Sequence, residues 1–361
     1  MLPSHNLSAV DLFSGCGGLT VGLKRAGFNV VSGVELEQHA FSTYKVNHPE
    51  VKAFLQDIRT VHGEDLYRNR FQKKLDLLAG CPPCQGFSSL TSKWHKPDPR
   101  NDLVLEMGRL VRELRPRVVM MENVPGLALK GMPILSKFVR SLRAMGYKVK
   151  WEILQVADYG VPQLRRRFVL LAGLGFSIPL PSPSHANGGA GGLKPWRTLK
   201  DAISRQPPPL RFDKASELGG PGSVNWHVVR SISLANQRRL KHAVPGRGWT
   251  KIPKRLRPKC HQDQKVGFRN AYGRMSWDEP SPTITGGCTT LSKGRFGHPD
   301  EARTISVREA ALIQTFPAGY VFDSSYIDRV CDMVGNALPC DFAAVVAAAC
   351  SAALASQGAA P

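Results

Sequence analysis

At 361 residues and 42% hydrophobic content the chain can bury the core of one large α/β domain and a smaller one without covalent staples. No basic segment leads into an apolar one at the N-terminus and no apolar run approaches the roughly 18 residues of a membrane span, so a soluble, cytoplasmic protein is expected, with its eight cysteines as reduced thiols rather than a disulfide framework. The net charge is +21, and residues 175–300 carry 21 Lys/Arg against 7 Asp/Glu; such a local excess suits a polyanion, because cations that neutralise phosphates release condensed counterions.

The predicted elements begin with a strand at SAVDLF, residues 8–13, which runs into the glycine-rich DLFSGCGG, residues 11–18, and a helical pattern, LTVGLKRAGF. Glycines there let a turn run tight and bring backbone N–H groups and a helix N-terminus near a ligand. The next strand, VVSGVE, ends in Glu35, about 20 residues on, where a carboxylate can accept from ribose hydroxyls. Asp57 follows a third apolar stretch, in FLQDIRT. The succession Gly15, Gly17, Glu35 and Asp57 on consecutive strand ends points to a nucleoside site. The run lacks the G-x-G-x-x-G of a dinucleotide site, which disfavours a pyrophosphate.

A fourth strand, LDLLAG, residues 75–80, opens into CPPCQGFSS. Three readings of Cys81 and Cys84 compete. A zinc site needs two more ligands, yet the chain has no second C-x-x-C and no H-x-x-x-H, and Cys260 with His261 is the only nearby candidate, so no metal is expected. A redox pair needs one thiol of lowered pKa. A single nucleophile needs Cys84 aimed into a cleft by Pro82 and Pro83, with Cys81 as packing. The following GFSSLTSKWHKPDPRN, residues 86–101, reads either as a lid or as an ordinary exposed loop.

RVVMMENV, residues 117–124, is the fifth strand, with Glu122 directly after four apolar residues: a loop cap or a working group above the sheet. MPILSKFVRSLRAMG, residues 132–146, is helical in pattern. In DYGVPQLRRRFVLLAG, residues 158–173, Gln163, Arg165 and Arg167 share one face if the segment is extended, giving either a carbonyl- or phosphate-binding fork or a protected basic edge. Strands alternating with helices predict an α/β fold with a doubly wound, mostly parallel sheet.

At about residue 176 the alternation is lost in IPLPSPSHANGGAGGLKP, which marks a domain boundary. Residues 176–302 then read as a small, basic, loop-rich domain. From 303 the chain regains helical character, in ISVREAALIQTFP and the Ala-rich DFAAVVAAACSAALA, and 303–361 is expected to return to the first domain, 1–175.

Taken in order, DLFSGCGG, GVE, QDI, GCPPCQGFS, MENV, QLRRR, HPDEARTISVREAALIQTFP and VGNALP resemble the motif series of the bacterial DNA (cytosine-5)-methyltransferase family. The blocks cover about residues 10–173 and 298–350. The gap, about 175–297, falls where the family keeps its target-recognition region. Departures are small: Arg166 stands between the two matched arginines, and the last block reads VGNALPC.

The resemblance implies a Rossmann-like methyltransferase using S-adenosylmethionine, held by Phe13, Gly15, Gly17, Glu35, Asp57, Leu103 and Asn336. It implies attack of Cys84 on C6 of a cytosine flipped from double-stranded DNA, with Glu122 at N3, Arg167 at O2 and Arg165 in support. Pro83, Gln85 and Ser88 would line the base site and lid. A monomer is expected, acting either with a cognate restriction endonuclease encoded nearby or alone. A transfer-RNA methyltransferase of the same fold and a catalytically silent DNA-binding protein are the alternatives. The size of the basic segment disfavours the first, and the presence of Cys84, Glu122, Arg165 and Arg167 together disfavours the second.

Overall fold

The computed structural model describes residues 7–68, 74–83, 99–262 and 269–358. They form two bodies: residues 1–159, 166–184 and 338–361 make one, and 160–165 with 185–337 make the other.

In the first body a seven-stranded sheet is built from β1 (Leu7–Leu12), β2 (Phe28–Glu35), β3 (Lys52–Leu55), β4 (Leu77–Gly80), β5 (Val118–Asn123), β6 (Tyr147–Gln155) and β7 (Arg166–Leu174). Helices α1 (Gly18–Arg25), α2 (Gln38–Asn47), α3 (Gly63–Leu66), α4 (Leu103–Leu114) and α5 (Met132–Ala144) connect them. The strand order is β3-β2-β1-β4-β5-β7-β6. All neighbouring pairs are parallel except those made by β7, which runs antiparallel to both β5 and β6. The doubly wound, mostly parallel sheet expected from the sequence is the one formed.

The pattern of side chains explains the layering. Every residue of β4 and β5 is buried, as strands covered on both faces require. Val10, Leu12, Leu78, Val119, Met121 and Leu170 join one core cluster with Met107 of α4 and Phe138 of α5. The residues between them, such as Ala9, Leu77, Met120 and Leu171, are equally buried and point to the opposite face. The edge strand β6 instead carries Lys148, Lys150 and Glu152, charges that discourage pairing with another chain.

The second body has little regular structure. Its strands are two residues long: β8 (His185–Ala186) with β9 (Lys194–Pro195), and β10 (Leu210–Arg211) with β11 (Val228–Val229). Its helices are α6 (Leu199–Ile203), α7 (Phe212–Glu217), α8 (Leu234–His242), α9 (Val307–Ile313) and α10 (Ile327–Asn336).

Helix α11 (Cys340–Gly358) then returns to the first body. It packs so closely on α1 that a Cβ at Gly22 would lie 2.4 Å from that of Ala343. By length and composition the stretch Ile327–Gln357 is apolar enough to cross a membrane, which corrects the reading that no such run exists. The apolar side chains of α11 from Phe342 to Leu354 are largely buried, however, as those of a core helix are.

The division of the chain also differs from expectation. The first body keeps residues up to 184 rather than 175, because Tyr159 donates to the Pro181 carbonyl (3.0 Å) and the Ser184 amide to that of Asp158 (2.9 Å). Residues 303–337, including α9 and α10, belong to the second body rather than to the returning segment.

Candidate active site

The strand order reverses between β1 and β4. In an open α/β sheet the crevice outside the carboxyl ends at such a point is where ligands bind. The glycine loop leaves β1 there, and Cys81-Pro82-Pro83 leaves β4.

The glycine loop is held in left-handed conformations, with φ of 59° at Phe13, 55° at Gly15 and 98° at Gly17, the residue that precedes α1. A side chain at Gly15 would meet nothing within 4 Å, so the loop has open space above it. Glu35, the last residue of β2, fixes the loop: its carboxylate accepts from the amides of Gly15 (2.8 Å), Leu36 (2.9 Å) and Glu37 (2.7 Å). Burial raises its pKa, and those three N–H groups oppose the shift. Asp57, just beyond β3, accepts from the Arg59 amide (3.0 Å) and guanidinium (2.9 Å). Beneath the loop, Asp11 is wholly buried and accepts from Thr20 Oγ1 (2.6 Å), which also meets the Tyr44 hydroxyl (2.9 Å). Leu103 is buried at the start of α4.

Because β7 is antiparallel, it begins at the edge where the parallel strands end. Glu122 of β5 is paired with Val169 of β7, which brings Arg167, two residues earlier, to its side. Arg167 Nε lies 2.6 Å from Glu122 Oε1, with side-chain exposures of only 11% and 9%. Burial draws the Arg167 pKa down, and the Glu122 charge works against that.

Asn123 adds a function the sequence did not suggest. Its amide donates to the Pro82 carbonyl (2.9 Å) while its oxygen accepts from the Val124 amide (2.8 Å), tying the loop after β4 to the end of β5. Next to it, burial first and the Glu122 charge second push the Cys81 thiol well above its ordinary pKa. A shift in that direction favours the thiol over the thiolate that a redox pair needs. Among the described residues no group of three or more His, Cys, Asp or Glu could hold a metal ion, and Cys260 and His261 contact only as a pair (3.0 Å).

Of the remaining matched residues, Gln163 and Arg165 belong to the second body and Arg167 to the first. Gln163 donates to Gln314 Oε1 (2.7 Å) and accepts from the Ile284 amide (2.9 Å), while Arg165 donates to the carbonyls of Ile284 (2.9 Å) and Gly335 (3.0 Å). Asn336 is exposed at the end of α10. Cys84, Gln85, Ser88 and most of the expected lid lie outside the described residues.

Comparison with known proteins joins these pieces. Residues 7–352 match the model of the C-5 cytosine-specific DNA methylase family. The chain belongs to that family. The methylase is 35% identical over 350 residues to the Type II methylase M.HgiDII of Herpetosiphon aurantiacus, covering 94% of each chain. It is 33% identical to the Type II methyltransferase M1.HphI of Haemophilus parahaemolyticus, covering 92% of this chain and 84% of that one. Among solved structures, a DNA modification methyltransferase encoded within an Escherichia coli prophage shares the fold, with a TM-score of 0.73 at 23% identity over 97% of the methylase and all of that chain. The Schizosaccharomyces pombe Dnmt2 methyltransferase shares it at 0.62 and 19%, over 98% and 99%. The methylase is thus an enzyme, a DNA (cytosine-5-)-methyltransferase, as its motif series implied.

Proposed function

We propose that the enzyme transfers a methyl group from S-adenosylmethionine to C5 of a cytosine flipped out of a short, specific sequence in double-stranded DNA, through a bond between Cys84 Sγ and C6. The observation that carries this reading is the buried Glu122–Arg167 pair beside the exit of β4, at the crevice where the strand order reverses. The face of a cytosine that must be held during attack presents an acceptor at O2, an acceptor at N3 and a donor at N4. A guanidinium and a carboxyl side by side match that series, O2 to Arg167 and N3 with N4 to Glu122.

The chemistry follows from the base. C5 of cytosine is a poor nucleophile. Addition of the Cys84 thiolate to C6 breaks the C5–C6 double bond, and a proton held by Glu122 at N3 relieves the charge that builds on the ring. Arg167 stabilises the same charge at O2. S-adenosylmethionine, when bound, supplies the electrophilic methyl group. Loss of the C5 proton then expels Cys84 and restores the ring. Arg165, engaged with Ile284 and Gly335, acts as support rather than at the base.

The residues present fit the cofactor. The open space over Gly15 would receive it, with Phe13 and Gly17 completing the turn, Glu35 accepting from the ribose and Asp57 from the adenine amine, and Leu103 and Asn336 contributing at the positions the family uses. Residues within 185–337 would read the DNA sequence. We place the enzyme as a monomer in the cytoplasm, and the Type II relatives support a restriction endonuclease as its genetic partner.

The test is expression in a host lacking cytosine methylation, followed by bisulfite sequencing, with Cys84→Ser in parallel. Protected cytosines in one short motif, absent with Cys84→Ser although that variant still binds DNA, are expected. Substantial protection by Cys84→Ser would remove the nucleophile assignment. Unmodified DNA alongside methylated transfer RNA would replace the substrate.

A further inference from the structure

Residues 218–262 contain ten Lys or Arg and no Asp or Glu. Within this acid-free stretch the chain forms three successive 3-10 turns, Trp249–Lys251, Lys254–Leu256 and Lys259–His261, at five-residue intervals. Pro253 and Pro258 stand immediately before the second and third turns, where their fixed φ stiffens each connection.

The arm has its own small core. Trp249 and Ile252 are buried with Ala243 and Ala271, and Leu256 and Tyr272 pack against them. The His261 ring stands edge-on to Trp249 (4.9 Å) and Tyr272 (5.5 Å). Two arginines belong to this scaffold. Arg257 lies over the Trp249 ring (5.3 Å) and donates to the carbonyls of Ile252 and Thr250, both at 2.8 Å. Arg239 lies over Tyr272 (5.5 Å) and donates to the Leu256 carbonyl (2.7 Å). By contrast Arg247, Lys251, Lys254, Arg255 and Lys259 are all exposed.

The structure thus sorts chemically similar cations into two sets, those that build the arm and those that the arm displays. We propose that this arm, residues 247–261, is the surface that grips duplex DNA, with Lys251, Lys254 and Lys259 on phosphates and Arg255 reading a base edge in the major groove. The inference rests on the proposed DNA-methylating function. A lysine is a compact point charge suited to phosphate, whereas a guanidinium offers a planar fork that matches O6 and N7 of guanine. A rigid arm is what such reading needs, since a fork held loosely cannot distinguish one base from another. Arg239 and Arg257, guanidinium groups of the same stretch, are engaged with the scaffold.

The experiment measures binding of the full chain to two labelled duplexes, one with the motif that bisulfite sequencing reveals and one without it, over a series of salt concentrations. For the combined variant Lys251→Ala, Lys254→Ala and Lys259→Ala, the slope of log K against log salt should fall by about 2.7, roughly 0.9 per lost phosphate contact, and both duplexes should weaken alike. For Arg255→Ala the preference for the motif duplex should fall by about tenfold or more, as for a lost base contact, with thermal stability unchanged. If the wild-type protein methylates DNA but the triple variant keeps its salt slope, or Arg255→Ala keeps its preference, the arm is not the DNA-reading surface and the enzymatic reading stands. If the wild-type protein neither binds nor methylates either duplex, both fail together.

Discussion

Among the described residues the buried carboxylates lie mostly in the first body and the buried guanidinium groups mostly in the second, where Glu309 (1% exposed) is an exception paired with Arg303. In the first, Asp11, Asp76 and Glu122 are 0%, 1% and 7% exposed; in the second, Arg165, Arg274 and Arg308 are 3%, 6% and 2% exposed. The difference follows from which backbone groups the local architecture leaves without partners. A seven-stranded sheet satisfies its own ladder, and the orphans are amide N–H groups in the loops that leave its strands. Carboxylates meet them: Glu35 takes three, and Asp76 takes the Ser8 amide (2.9 Å). A body whose strands are two residues long leaves carbonyls instead, which the multiple donors of a guanidinium can gather. Arg308 donates to the carbonyls of Asn225 (2.8 Å) and Tyr320 (2.7 Å), and Arg274 to those of Leu240 (2.8 Å), His298 (2.6 Å) and Glu301 (2.6 Å).

The most severe way to break this contrast is Arg274→Met, which keeps length and apolar stem but removes every donor. Four carbonyls, those of Leu240, His298, Pro299 and Glu301, are then left to find new partners, and at about 1–3 kcal/mol for each buried group left unsatisfied the loss is on the order of 5 kcal/mol or more. Hydrogen exchange on the full chain should show protection vanishing around residues 273–275 and 296–303 while the amides of β4 and β5 keep theirs. Unchanged exchange in those loops would mean that the arginine does not organise them.

The counterpart in the first body is Asp11. Burial raises its pKa to about 7 against the opposing Thr20 hydrogen bond, and the Glu35 charge adds to the rise. The folded state therefore binds this proton more tightly than the unfolded one. The resulting stability is fully present below the ordinary carboxylate pKa and is lost as pH rises through about 7. The ceiling is about 4 kcal/mol over that window, of which roughly 2–3 kcal/mol falls between pH 5 and 8. Asp11→Asn, which can still accept from Thr20, should flatten the dependence. Denaturant midpoints at the two pH values would show it; equal pH dependence in wild type and variant would mean that Asp11 is ionised throughout.

How far the sequence reveals each body follows from the same contrast. The glycine loop, Glu35, Glu122 and the central strands announce themselves because regular structure gives periodic patterns and fixed strand ends. β6 alternates charge with apolar residues as an edge strand does, so it does not stand out as an apolar run. Helix α9 reads correctly as amphipathic, but amphipathicity does not say which core takes the apolar face. Here Arg308 of that helix is fixed to Asn225 and Tyr320 in the second body. Asn123 escaped notice because its partner is a backbone carbonyl 41 residues away, which leaves no trace in composition.

Glu122 differs from the other acids of the first body in what it holds. Glu35 and Asp76 take backbone amides, Asp76 with Arg117 as well, and Asp11 takes a neighbouring hydroxyl, whereas Glu122 is paired with the Arg167 side chain. Breaking a buried ion pair by removing one partner costs several kcal/mol, but in the mechanism we propose a cytosine entering between the two groups would replace both partners at once, O2 for Arg167 and N3 for Glu122. The pair would then partner both groups until the base arrives, which a carboxylate bound to backbone could not do. Glu122→Gln preserves shape and can still accept from Arg167, so fold and DNA affinity should persist, while the proton at N3 is lost. Methyl transfer should slow by on the order of 10²-fold or more, about 2.7 kcal/mol, with the loss in kcat rather than in KM for DNA. A loss confined to KM would make Glu122 a binding group only, and a rate near wild type would leave Arg167 alone to stabilise the ring.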